Sequence, residues 1–197
     1  MVKWFGIVLI LTSLFFLGIG GYQYFDMNAK KNDALRSAHA IVYSDLDKDK
    51  DRGKADIADV SDFNPNAGEV IGIVSIPSLE DEWPIVKGTS EEDLKAGVGH
   101  YNGTAFPSQE KQILLSGHRD TVFSRLGDLV VGDIIEVKMS YGIFKYEIEE
   151  MFIVDADDRT VIDYTIDEEV LTISTCYPFS FFGSAPDRYI INAKPLN

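Results

Sequence analysis

Between Lys3 and Asp26 runs WFGIVLILTSLFFLGIGGYQYF, a stretch without a single charge. An apolar helix needs roughly 20 residues, at about 1.5 Å of rise each, to cross the hydrocarbon of a bilayer, and residues 4–25 meet that length. They predict an N-terminal anchor over residues 1–25, in contact with membrane lipid through residues 4–25. A cleavable signal peptide is the rival reading, because a lysine precedes the run and Gly18 and Gly20 resemble a small-residue cleavage site. Signal peptides carry an apolar core of about 7 to 15 residues, however. This run continues past both glycines into Tyr22, Tyr24 and Phe25, aromatics suited to a membrane interface. Lys3 on one side faces Lys30, Lys31 and Arg36 on the other, so the positive-inside rule leaves the orientation open. An uncleaved signal anchor puts the bulk of the chain outside. The expectation is a single-pass cell-membrane protein whose folded domain is extracellular.

From Asp26 the composition changes. Residues 26–67, including DLDKDKDRGKADIADVSDFNPNAG, mix both charge signs with few aromatics and read as a solvated stalk or linker, with some helix around DALRSAHAIVYS. His39 lies in this segment and receives no function. Beyond it, residues 68–197 form the expected folded domain, and 45% hydrophobic residues suffice for its core. Runs such as EVIGIVSI, WPIVKG, QILLSGH, GDIIEVKM, IFKYEIEEMFIVD, VLTISTC and RYIINAKPL are rich in Ile, Val, Phe and Tyr and are separated by turn formers. That pattern predicts a mainly β fold, a barrel or sandwich, with a hairpin at KMSYGIF. Short helices are expected at TSEEDLKAG, capped by Thr89 or Ser90, and at DTVFSRLGDL, with Asp120 as N-cap.

A net charge of −14 excludes the basic surface that nucleic acid requires. It leaves open a basic partner or simple solubility. The chain has one cysteine, so no internal disulfide can form. In an exported protein such a thiol is either a buried filler or a reactive group.

A cysteine nucleophile needs an accessible thiol, a proton-transfer partner and donors for the oxyanion. Cys176 ends an apolar strand just before the Pro, Gly and Ser-containing loop YPFSFFGSAPD, a position compatible with either role. His118 in LLSGHRDT follows another apolar strand and could serve as general acid or base. His100 in GVGHYNGTAFP competes with it, and residue chemistry alone does not separate the two. Arg188 opens the last strand, where its guanidinium could hold a carbonyl or an oxyanion, or could pair with Asp187 at the surface.

Together GVGHYNGTAFP, ILLSGHRDTVF, LTISTCYP and DRYII resemble the sortases, membrane-anchored cysteine transpeptidases of Gram-positive bacteria, over about residues 68–197. The resemblance implies a closed β-barrel of about eight strands with short helices. It assigns the catalytic roles to Cys176, His118 and Arg188. It places His100 in a supporting segment and Thr175 at the substrate or oxyanion, with Ser116 and Asp120 flanking the histidine. It further implies cleavage of an LPxTG-like sorting signal after threonine through a thioacyl enzyme, and transfer of the surface protein to a peptidoglycan amine. A rate that rises and falls with pH follows from such chemistry. Hydrolysis by the same thiol and an inactive membrane-tethered binding domain are the alternatives.

Pilin-type sortases carry an Asp-Pro-aromatic lid, and none occurs between Asp26 and Gly68. With that, the absence of a second span before Asn197 and the segment CYPFSFFGSAPDRY resemble class D most, where LPxTA-like signals are also accepted. No cofactor is expected. The acids of DADDRTVIDYTIDEE raise the question of calcium, but hard cations need several convergent oxygens, which spacing alone does not provide.

Overall fold

The computed structural model describes residues 2–49, 60, 63–180 and 183–196. Its centre is a closed barrel of eight strands. These are β1 (Val70–Ile76), β2 (Asp81–Lys87), β3 (Val98–His100), β4 (Gln112–Gly117), β5 (Ile134–Met139), β6 (Gly142–Asp155), β7 (Val170–Tyr177) and β8 (Asp187–Pro195). Around the barrel they run β1-β2-β3-β4-β7-β8-β6-β5 and close from β5 back to β1. The expected KMSYGIF hairpin is the β5–β6 connection, with Met139 opposite Gly142. The strand missing from the sequence reading is β3, three residues long and too short to show a pattern.

The pairs β2–β3 and β4–β7 are parallel and the remainder antiparallel. Inside pack Val74, Ile85, Ile113, Leu115, Ile135, Val137, Tyr146, Leu171, Ile173 and Ile191. Alternation along β5, with Ile135, Val137 and Met139 buried, is that of a strand with one wet face. β1 does not alternate, because both of its faces are covered: Val74 and Ile76 join the barrel core while Ile73 packs under the N-terminal helix.

That helix, α1 (Val2–Asp49), is continuous from the apolar run into the charged segment. Its apolar residues between Ile7 and Phe25 are exposed, as lipid-facing side chains are. Further along, Ala34, Ala38 and Val42 are buried at i, i+4 and i+8 against the barrel. Lys30 reaches Glu92 at 3.0 Å, Lys31 lies 3.4 Å from the centroid of the Trp83 ring, and His39 Nε2 is 3.2 Å from Glu82 Oε2. Residues 26–49 are therefore not the solvated linker that their composition suggests. Small and charged residues make a docking face there, and such residues score low on hydrophobicity. The charged stretch 50–59 and residues 61 and 62 lie outside the described residues.

The second helix, α2 (Glu91–Ala96), starts as expected. Ser90 accepts from the Asp93 backbone N–H and Asp93 accepts from that of Ser90, a complete capping box. At 121–128 there is no α-helix, only turns ending in a 3-10 turn at Leu126–Asp128. Asp120 thus has no helix to cap. Val122 and Phe123 fold back instead onto Gly117, where any Cβ would collide with both side chains, and this tertiary packing overrides helix propensity.

Candidate active site

Three neighbouring strands deliver the chemistry to one rim of the barrel. Since β4 and β7 are parallel with Gly117 opposite Thr175, His118 and Cys176 both leave the sheet at the same end. The antiparallel pairing of β7 with β8 puts Arg188 directly opposite Cys176, so their side chains share a face. A cavity of about 330 Å³ opens between them, lined by His118, Asp120, Cys176, Ser184 and Arg188 among others. The thiol is half-buried at its wall. Cys176 is thus not among the fully buried core residues.

Thr175 points to the opposite face, as strand alternation requires. It is buried, and its hydroxyl donates to the Gly117 carbonyl at 2.7 Å. That bond clamps the ends of β4 and β7 one residue before the imidazole and the thiol. Arg188 Nη1 donates to the Asp187 carbonyl at 2.9 Å and the Ala185 carbonyl at 3.4 Å, so the guanidinium is held by its own loop and not by the Asp187 carboxylate. Tyr177, Phe179 and Tyr189 pack their rings together at the base of that loop.

His100 stands elsewhere. It is buried, stacked on Phe106 at 4.4 Å, with Nε2 2.8 Å from the Ala105 carbonyl and Nδ1 3.3 Å from Lys87 Nζ. An ammonium only donates and a carbonyl only accepts, so the ring is the neutral tautomer protonated at Nε2. Burial lowers its pKa from 6.5 to about 4, and the Lys87 charge adds to that effect. His100 holds the segment that follows β3 and does not line the Cys176 cavity. Ser116 sits within β4, opposite Gly99 and Ser174, and does not line that cavity either. Asp120 is exposed at its edge.

Two residues escaped the sequence reading. Arg119 Nη2 donates to the Gly183 carbonyl at 2.9 Å, joining the turn after His118 to the loop after Cys176. Its place beside His118 was the available signal. Gln112 is buried at the start of β4: its amide N–H groups donate to the Val161 carbonyl and Thr172 Oγ1, and its carbonyl accepts from the Asp163 N–H, at 2.8 to 2.9 Å. It pins the acidic loop between β6 and β7. In that loop Asp155, Asp158 and Asp163 accept bonds from Asp157, Thr160 and Thr165 within their own turns. Among the described residues no group of three His, Cys, Asp or Glu converges as a metal site.

A closed barrel with a thiol, an imidazole and a guanidinium around one cavity at its rim is an arrangement compatible with cysteine acyl transfer. The sortase domain family matches residues 74–196, and the chain belongs to the sortase family of cysteine transpeptidases. It is 41% identical to sortase D of Bacillus subtilis (strain 168) over 195 residues, covering 98% of each chain. Among solved structures it is similar to the catalytic domain of Bacillus anthracis SrtD, with 42% identity over 68% of this chain and 92% of that one and a TM-score of 0.57. A Clostridium perfringens sortase D5 transpeptidase shares 27% identity over 80% of this chain and 99% of its own, with a TM-score of 0.63. These likenesses agree with the class D resemblance of the sequence.

Proposed function

We propose that this sortase cleaves an LPxTG-like or LPxTA-like sorting signal after its threonine and joins the surface protein to a cell-wall amine, with Cys176, His118 and Arg188 as its catalytic residues. The supporting observation is their convergence on one cavity. Cys176, as thiolate, attacks the threonyl carbonyl. Arg188, opposite the sulfur, donates to the oxyanion of the tetrahedral intermediate. As the intermediate collapses, protonated His118 gives its proton to the departing amine, leaving a thioester on Cys176. An incoming amine then forms the new C–N bond and gives its proton to His118, while the C–S bond breaks and its electron pair returns to sulfur.

The apolar helix over residues 4–25 anchors the enzyme, and residues 68–197 act outside the membrane. Support comes from the exposed apolar surface of the helix and the membrane association of the family. Mass spectrometry of a sorting peptide incubated with the enzyme tests the reaction. Wild type gives free acid alone and diverts product to a conjugate when triglycine is added; Cys176→Ala gives neither. Cleavage that survives Cys176→Ala refutes the mechanism. Protease treatment of intact cells that spares the domain refutes the orientation.

A further inference from the structure

His118 also borders a second cavity, of about 370 Å³, to which neither Cys176 nor Arg188 contributes. Its walls are the end of α2 from Leu94 to Gly97, the turn from Asp120 to Val122, Trp83 of β2, and Lys31 of α1. The membrane helix thus builds part of a cavity that touches the imidazole. Lys31 lies six residues beyond Phe25, about 9 Å along the helix axis from the end of the apolar run.

We infer that this cavity receives the acyl acceptor, with its amine beside His118 and a carboxylate of the same molecule held by Lys31 and Trp83. The inference rests on the transpeptidase reading of Cys176, His118 and Arg188 and extends it. In the thioacyl enzyme the acyl chain fills the cavity around Cys176. A nucleophile that comes in along another flank of the imidazole avoids the acyl chain and still reaches the group that takes its proton. The cavity on α1 is such a flank. The step balances: the bound ammonium first releases one proton to solvent, the neutral amine nitrogen then bonds to the thioester carbon, sulfur leaves with the C–S pair, and the second amine proton passes to His118.

The polar groups of the cavity select the rest of the acceptor. The Trp83 indole N–H is buried with no acceptor among the described residues, and the Lys31 ammonium rests over the same ring. Two adjacent donors call for a ligand oxygen that only accepts. Partial burial lowers the pKa of Lys31 and outweighs the opposing pull of the Asp81 carboxylate, so its charge has lost hydration that a ligand carboxylate can replace. Lys95, the other cation of the cavity, is already paired with Glu91 at 2.8 Å. At the His118 end the exposed carboxylate of Asp120 complements the amine in its ammonium form. The cavity is complementary to a zwitterionic acceptor, an amine and a carboxylate on one peptide.

The test uses the full chain in phospholipid nanodiscs, a sorting peptide, and two acceptors, triglycine and triglycinamide. A charge-assisted hydrogen bond stabilises by about 1.5 kcal/mol, which corresponds to about tenfold in affinity. Wild type is expected to show an acceptor KM about tenfold lower for triglycine than for its amide. Lys31→Met and Trp83→Phe each raise the triglycine KM towards the amide value, whereas Lys111→Met, at an exposed residue outside the cavity, leaves it unchanged. Equal KM values for the two acceptors in wild type overturn the inference, as does an unchanged triglycine KM in both Lys31→Met and Trp83→Phe. If the sorting peptide is not cleaved at all by wild type, the transpeptidase reading falls with it. Cleavage to free acid with indifferent acceptor kinetics overturns the acceptor site alone.

Discussion

Acid should destabilise this protein through His100. The residue is neutral when folded, with its pKa lowered from 6.5 to about 4 by burial and by the Lys87 ammonium. In the unfolded chain it takes up a proton below about pH 6.5, while the folded chain refuses one until about pH 4. The unfolded state therefore binds more protons across that window, and stability falls as pH falls. Full stability is present above pH 6.5, and the loss is complete below pH 4. Over the whole window the shift corresponds to about 3 kcal/mol, and at pH 5 to about 2 kcal/mol, roughly a thirtyfold change in the folded-to-unfolded ratio.

Urea denaturation of the full chain in non-ionic detergent, followed by tryptophan fluorescence at pH 7.5 and pH 5.0, measures this. With a slope of about 2 kcal/mol per molar, the midpoint drops by about 1 M. His100→Gln keeps an N–H able to reach the Ala105 carbonyl but does not titrate, so its midpoint should move much less over the same interval. Acidic residues elsewhere contribute equally to both proteins and cancel in the difference. Equal drops for wild type and His100→Gln would show that His100 is not a buried neutral imidazole and refute the reasoning.

Gly117→Ala should cost about 1–3 kcal/mol through overpacking against Val122 and Phe123 and lower kcat/KM for peptide cleavage at least about tenfold, since a misplacement of about 1 Å is severe for catalysis. A retained rate would show that this fold-back does not position His118. Gln112→Leu strands the Val161 carbonyl and the Asp163 N–H, a cost of about 1–3 kcal/mol. Hydrogen exchange should accelerate over residues 156–168, and unchanged exchange would place the pin elsewhere. Because Asp155, Asp158 and Asp163 of that segment are committed to their own turns and no three acids converge among the described residues, EDTA and added calcium should both leave the cleavage rate unchanged. A calcium-dependent rate would require the loop to refold around the ion.

The strands were legible because they are β-branched and aromatic runs, and a run of five or more residues shows its period; that pattern left barrel and sandwich open, and the closed barrel followed from the family resemblance. β3 was not legible, since Val98 to His100 is too short for a period and is held as a strand by parallel pairing with Ile85, Val86 and Lys87. The turn after His118 was misread for a related reason. DTVFSRLGDL carries helical signals, but the absence of a side chain at Gly117 lets Val122 and Phe123 close onto the end of β4, and that packing of a turn on the strand before it is invisible to helix propensity. The convergence of Cys176, His118 and Arg188 belongs to the same category. A strand-end cysteine, a strand-end histidine and a strand-start arginine are each ambiguous alone, and it is the parallel β4–β7 pairing beside the antiparallel β7–β8 pairing that brings the three to one rim.

The docking of α1 was hidden by chemistry rather than by distance in sequence. Composition weighs each residue by its average preference, and by that measure NDALRSAHAIV is a polar segment. What matters on a helix is the stripe: Ala34, Ala38 and Val42 recur every four residues, and their small size lets the helix approach β1 closely enough to cover Ile73. Lys31 and His39 then fall at the edges of that stripe, where their charged groups reach Trp83 and Glu82. The continuous apolar face of β1 was the complementary signal, because a strand buried on both sides needs a second layer. In this fold the second layer is the juxtamembrane helix. With residues 4–25 as the proposed anchor, a helix that docks on the barrel would set the catalytic rim at a fixed height and rotation above the bilayer, which a flexible tether would not do.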